Sequence, residues 1–237
     1  MRIVSFGEFV KMPRPNTNWI VDELVPRPGM VQLIGPPKVG KSFLALDLAF
    51  KVSRGEPFMG RATKASKVLY LQLDTSEKIM RDRGLALRNS GYDIVAPNLC
   101  MVHPDDTMRP VNIMFAGGHA YLHKAISTID PALVVVDTLR EIHQEDENDS
   151  TAMKIVLDAL ETLCIGRSVL LVHHTRKISP DEPNPTAVGA SRGSNYITGK
   201  VDSFWLLYNG RLEITSRWGE PMIQTAKQGA NGMFSFA

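Results

Sequence analysis

Apolar residues in this chain come in short, nearly unbroken runs, each followed by a polar or glycine-bearing stretch. Val31-Gln32-Leu33-Ile34, Lys67 to Asp74, Asn98 to Val102, Ala132 to Asp137 and Ser168 to Val172 read as strands, and the Ala132–Asp137 run is too apolar for a sheet edge. Between them the period lengthens to that of helices. One helix starts at Lys41-Ser42 and ends near Arg54-Gly55-Glu56-Pro57; a second opens at Thr75-Ser76-Glu77-Lys78 and continues through Arg81, Arg83 and Leu87. A third covers about Gly118 to Thr128, and a fourth runs from about Ser150, read as its N-cap, to Leu163. Pro104-Asp105-Asp106-Thr107 reads as a turn. Strands alternating with helices predict an α/β chain with a mostly parallel central sheet flanked by helices.

The pattern changes at both ends. Residues 1–29 carry Pro13, Pro15, Pro26 and Pro28 around Asn18-Trp19-Ile20-Val21, an extended lead-in with a short helical piece. Trp19 pins this segment to the core or stacks on a base, pinning being the plainer reading. Residues 178–199 turn to Pro, Gly, Ser and Asn, a long polar loop of the kind that carries function. Ser203–Tyr208 and Leu212–Thr215 flank Asn209-Gly210, a hairpin that closes the sheet with antiparallel strands at the C-terminal edge. The expected organisation is a lead-in over 1–29, one domain over 30–227 and a loose tail over 228–237.

Composition narrows this little. With 237 residues, 43% apolar and 22% charged, the chain has the makeup of an ordinary folded domain. No apolar run reaches the ~18 residues of a membrane span, and the start lacks a signal core, so a cytoplasmic protein without a membrane partner is expected. Two cysteines, Cys100 and Cys164, are too few for a disulfide framework or a zinc site. His119 and His123 lie at i, i+4 spacing without the glutamate of a zincin or a third ligand. The net charge of +2 confines any contact with nucleic acid to local patches.

The chemistry concentrates between the first strand and helix. Gly35-Pro36-Pro37-Lys38-Val39-Gly40-Lys41-Ser42, followed by Phe43, has the form G-x-x-x-x-G-K-S, in which backbone N–H groups and a helix N-terminus grip phosphates. Lys41 is placed to reach the outer phosphates and Ser42 to offer its hydroxyl to Mg²⁺. Pro36 and Pro37 have no N–H, so the donors start at Lys38. Asp74 and Asp137 each end a strand, where an open parallel sheet has its ligand crevice. Asp137 is assigned to Mg²⁺ and Asp74 to the attacking water, the plainer reading of Asp74 being a helix N-cap. His173-His174 ends another strand, and because neighbours on a strand face opposite ways, only one of the pair faces the phosphates.

With these motifs placed, the chain resembles the RecA-like P-loop NTPases of the replicative-helicase branch, above all the RepA-type hexameric helicases of plasmids and phages, and more distantly DnaB-type and RadA-like proteins. Residues 35–42, the strands ending at Asp74 and Asp137, His173-His174-Thr175-Arg176-Lys177, Ala190-Ser191-Arg192-Gly193-Ser194 and Asp146-Glu147-Asn148 carry the resemblance. It implies a Mg-ATP-hydrolysing homo-oligomer, a hexameric ring acting on single-stranded DNA in replication, with a primase or replication initiator as partner. Asp74 stands where the family has a glutamate, with Glu77 as an auxiliary, and the double histidine matches the phosphate sensor. Arg83 matches an arginine near the phosphates. Arg217, ahead of Trp218-Gly219, resembles the trans-acting arginine finger of DnaB-type proteins. Asp202 occupies the RepA-type finger position, with Arg192 and Lys200 as alternates. Arg176, Lys177, Arg192 and Lys200 are the expected DNA contacts, solvated surface being the plainer reading of those in the loop. A second reading is a RecA-like regulatory or recombination accessory that assembles with nucleotide but unwinds nothing. Asp74, the modest charge, a short tail and the lack of a primase-binding domain ahead of the phosphate loop point that way.

Overall fold

A computed structural model describes residues 3–13, 18–102, 111–179, 181–182 and 185–237. The turn at Pro104–Thr107 and Pro15 of the lead-in lie outside the described residues. Among them, strands β3 (Gly29–Gly35), β4 (Val68–Gln72), β5 (Leu99–Val102), β6 (Leu133–Asp137), β7 (Ser168–His174), β8 (Ser203–Tyr208), β9 (Arg211–Ser216), β10 (Met222–Gln228) and β11 (Phe234–Phe236) form one sheet. Its order is β11-β10-β9-β8-β3-β7-β6-β4-β5. From β8 to β5 every pairing is parallel; from β8 to β11 every pairing is antiparallel.

Helices cover both faces. On one, α2 (Lys41–Arg54) packs Leu44, Leu48 and Val52 against Leu33, Tyr70 and Val135. On the other, Ile126 of α4 (Ala116–Ile129) and Met153, Val156 and Leu160 of α5 (Ser150–Leu163) meet Ile34, Val134 and Leu171. Successive residues of one strand thus enter different cores, which is why the inner strands are apolar at every position.

Helix ends follow local chemistry. Gly55, at φ 72, closes α2 by donating its N–H to Lys51 and Val52 carbonyls. The cap of α5 is Asp149 rather than Ser150. Its carboxylate accepts from Thr151 and Ala152 N–H at 2.7 and 3.2 Å, and the extended backbone of Asp149 puts the helix start at Ser150, one residue earlier than a serine cap would. The cap of α3 (Glu77–Asn89) is Ser76, which accepts from Ile79 N–H. Asp74 is therefore not occupied in capping.

Both ends of the chain are more integrated than their composition suggests. After α1 (Phe6–Lys11), β1 (Asn18–Val21) and β2 (Val25–Arg27) pair as a hairpin that buries Ile20, Val21, Leu24 and Val25 in the first core. Trp19 packs edge-on against Trp218, with ring centroids 5.1 Å apart. The tail read as loose carries β11, and residue 228 belongs to β10; Met233 and Phe234 are buried, and Phe236 packs on Phe58 at 5.7 Å. Phe234-Ser235-Phe236 is too short an alternation to announce a strand until a partner edge is present. The polar stretch 178–199 holds α6 (Ala187–Ala190) and α7 (Asn195–Lys200), anchored by buried Ala187, Ala190 and Ile197. Asn209 and Gly210 both have positive φ, the turn their dipeptide demands.

Candidate active site

The site is assembled by the carboxyl ends of β3, β7, β6 and β4. Register brings Gly35 beside His174, and Gln72 beside Asp137. Leu73 and Asp74 donate their N–H groups to the Asp137 carbonyl at 2.8 and 3.2 Å, which holds Asp74 at the same edge.

The phosphate loop is shaped by close approach. A Cβ on Gly35 would lie 2.5 Å from the Leu207 carbonyl oxygen, and Gly40 has φ 101 with the Phe234 ring against it. No side chain caps α2, so its first N–H groups are left for an incoming anion. Lys41 is almost fully buried and donates to the carbonyls of Gly35 and Pro36, each at 2.9 Å; its Nζ is 3.4 Å from Nδ1 of His174. Burial pushes the Lys41 pKa down to about 8, against the opposing pull of the Asp137 and Asp74 carboxylates.

Asp137 is fully buried. One oxygen accepts from the Tyr70 hydroxyl at 2.7 Å, while Oδ1 has no hydrogen-bond partner. Burial raises its pKa, an effect opposed by the hydrogen bond from Tyr70 and the nearby Ser42 hydroxyl. An orphaned, inward carboxylate oxygen beside a serine hydroxyl is the donor chemistry a hard divalent cation takes, so these residues fit Mg²⁺.

The two histidines face opposite ways. His174 is half-buried in the cleft, its pKa lowered by burial and by the Lys41 charge. His173 is fully buried on the other face, its Nε2 3.9 Å from Glu147, whose other oxygen meets Arg192 at 3.0 Å. Burial, with the charges of His174, Arg192 and His143, pushes His173 down to about 3.

A cleft of about 400 Å³ brings together Pro37, Lys38, Gly40, Lys41, Ser42, Phe43, Asp74, Thr75, Arg83, Thr138, His174 and Gln228. The Arg83 guanidinium lies over the Phe43 ring at 5.0 Å. Glu77 does not line the cleft and is paired with Arg81 along α3. Arg176, Lys177 and Arg192 share a cavity of about 540 Å³ with Pro36, Pro37, His174 and Tyr208, adjoining the cleft on its His174 side. Two of those cations are engaged: Arg176 with both oxygens of Glu182, and Arg192 with Glu147.

Lys200 and Arg217 are elsewhere. Lys200 is bound by Asp158 and Glu161, and Arg217 donates to the Gly199 carbonyl beside Asp202. Both line a cavity of about 630 Å³ at the amino ends of the parallel strands, where Met30 N–H donates to Asp202. Gln228, Thr75, Thr138 and Tyr70 are members of the site that sequence reasoning missed. The signal for Tyr70 was a hydroxyl in the middle of the Val68-Leu69-Tyr70-Leu71 run, which must find a partner once buried.

Comparisons with known proteins agree with this geometry. Residues 2–179 match the family described as AAA domain. The fold is similar to that of a KaiC-like protein, PH0186, from the hyperthermophilic archaeon Pyrococcus horikoshii OT3, with TM-score 0.57 and 14% identity over 92% of this chain and 93% of that one. It is also similar to the ATPase domain of G40P, with TM-score 0.61 and 14% identity over 87% and 84% of the two chains. Since the family match takes in the phosphate loop and the strands bearing Asp74, Asp137 and His174, the chain belongs to the AAA domain family and is a RecA-like P-loop ATPase.

Proposed function

We propose that this ATPase works as a homo-oligomeric ring that hydrolyses Mg-ATP at its subunit interfaces, translocates on single-stranded DNA and separates strands during replication, in the manner of RepA-type helicases. The observation that carries the reading is the convergence of Lys41, Ser42, Asp74 and His174 on one cleft at the carboxyl ends of the parallel strands, with the buried Asp137 ending the strand beside β4. Lys41 and the N-terminal amides of α2 hold the outer phosphates, and Asp74 orients the water that attacks the terminal phosphorus as the bond to the leaving diphosphate breaks. Ser42 and Asp137 would hold Mg²⁺, which when bound neutralises developing phosphate charge. His174, beside Lys41, reports whether the terminal phosphate is present. Arg217 lies at the opposite edge of the sheet from its own cleft, so any part it plays in hydrolysis is in a neighbour's site. Arg176, Lys177 and Arg192, on the His174 side, are the cations offered to DNA phosphates.

One observation favours a second reading, a nucleotide-gated scaffold that does not unwind: Glu182 and Glu147 already hold two of those three cations. ATP turnover and strand displacement, each measured with and without single-stranded DNA, separate the two. DNA-stimulated turnover with displacement supports the helicase. Turnover indifferent to DNA, without displacement, supports the scaffold.

A further inference from the structure

We infer that Gln72 is a positioning residue of the cation site, its buried amide set to hold the water shell of the Mg²⁺ that Ser42 and Asp137 carry. The inference rests on the ATPase reading above and adds to it a residue that neither the phosphate-loop motif nor the strand-end carboxylates announce.

Gln72 is the last residue of β4, and its register partner on β6 is Asp137. Their side chains share a face. Leu71 and Leu73, on either side of Gln72, belong to the core beneath α4 and α5, as does Val136 before Asp137; Tyr70 and Val135 belong to the core beneath α2. Because side chains alternate along a strand, Gln72 and Asp137 both turn to the α2 side, where the Tyr70 hydroxyl meets Asp137 and the Ser42 carbonyl. Asp74 follows two residues after Gln72, Thr138 follows Asp137 directly, and both line the phosphate cleft with Ser42. The Gln72–Asp137 pair is thus the step just below the cleft, and the N–H groups of Leu73 and Asp74, bound to the Asp137 carbonyl, keep the two strand ends together.

The amide is fully buried, yet neither its Oε1 nor its Nε2 has a hydrogen-bond partner, and Oδ1 of Asp137 beside it has none either. A buried amide gives up its bonds to water on folding and is costly unless something replaces them. Gln32 of β3, also fully buried, shows the contrast. It lies between Val31 and Leu33 of the α2-side core, so it faces the other way, and its Oε1 accepts from the Ser191 hydroxyl at 3.0 Å. Gln32 is used within the protein; Gln72 is not.

The donor set suits a hydrated ion. Mg²⁺ gives up its waters reluctantly, so a protein holds it partly through them. Oε1 of Gln72 can accept a hydrogen from that shell, while its N–H₂ group suits a carboxylate oxygen such as Oδ1 of Asp137. A glutamate at this position would put a second negative charge beside Asp137; the amide offers the same acceptor without that repulsion.

The test measures equilibrium binding of ATP in EDTA and across a Mg²⁺ titration, together with urea unfolding of the ligand-free protein, for the unaltered chain, Gln72→Leu and Gln72→Glu. Gln72→Leu fills the same space and removes both polar atoms. It should weaken the Mg²⁺ that supports ATP binding by about 10-fold, leave ATP binding in EDTA within about 2-fold, and leave ligand-free stability unchanged or higher. Gln72→Glu should be less stable than the unaltered protein without ligands and recover more of its unfolding midpoint on addition of Mg-ATP than the unaltered protein gains. A merely structural amide would give neither pattern. The inference is overturned if Gln72→Leu keeps the original Mg²⁺ dependence, if it weakens ATP binding equally with and without Mg²⁺, or if it loses ligand-free stability. An unaltered protein that binds no ATP under either condition overturns the ATPase reading itself, which is a different result.

Discussion

The buried hydroxyl of Tyr70 donates to Asp137 at 2.7 Å and so occupies one carboxylate oxygen, while the other, Oδ1, is buried without a hydrogen-bond partner. An outer residue that fixes a metal-binding carboxylate affects metal affinity by about 10-fold or more. Tyr70→Phe removes the hydroxyl without altering the packing of the ring. The expected outcome is a rise of about 10-fold in the Mg²⁺ concentration that half-saturates ATP turnover, with ~1–3 kcal/mol of stability lost because Asp137 is left short of a donor. Magnesium titrations of turnover and urea unfolding measure the two effects.

Asp74 is exposed at the cleft, and Ser76 rather than Asp74 caps α3, as the water-orienting role proposed for Asp74 requires. Asp74→Asn should lower turnover ~100-fold, while ATP affinity stays within about 3-fold and stability within ~0.5 kcal/mol. Asp74→Glu should retain turnover. Phosphate-release assays paired with equilibrium binding test this directly.

Among the described residues Lys177 is paired with no carboxylate, whereas Lys200 is held by two at the far edge of the sheet. Lys177→Glu should weaken single-stranded DNA binding and flatten the dependence of log affinity on log salt by about 1, and Lys200→Ala should leave that slope unchanged. Anisotropy titrations over a range of salt read both.

His143 and His173 are buried and held neutral, with burial pushing their pKa values down to about 4 and about 3. In the unfolded chain they take up protons near pH 6.5. Below that pH the unfolded state binds more protons than the folded one, so stability falls as pH falls, by up to about 1.4 kcal/mol per pH unit for each histidine. The loss should begin near pH 6.5 and continue to the folded values. His143→Leu should halve the slope between pH 6 and 4 in chemical unfolding.

How far the sequence carries depends on whether the relevant residues are neighbours along the chain. The phosphate loop is legible because Gly35 to Ser42 are contiguous, and the inner strands because Leu133-Val134-Val135-Val136 suits little else. The hairpin at Asn209-Gly210 is legible because both residues tolerate positive φ. What stays hidden is set by pairing across the sheet. Tyr70 meets Asp137 only once β4 lies beside β6, and Gln228 and Phe234 reach Gly40 only once β10 and β11 have joined the antiparallel edge. His173 and His174 are equivalent as letters; the pleat of β7 decides which one faces Lys41. The cations of the polar loop read as free until Glu182 and Glu147 are seen holding Arg176 and Arg192.

The most direct test is steady-state release of phosphate from Mg-ATP by the intact protein beside its Lys41→Ala counterpart. With the ammonium gone from between the loop carbonyls and His174, turnover should fall at least ~100-fold while the fold persists. A Lys41→Ala protein that releases phosphate as fast as the original would contradict the account.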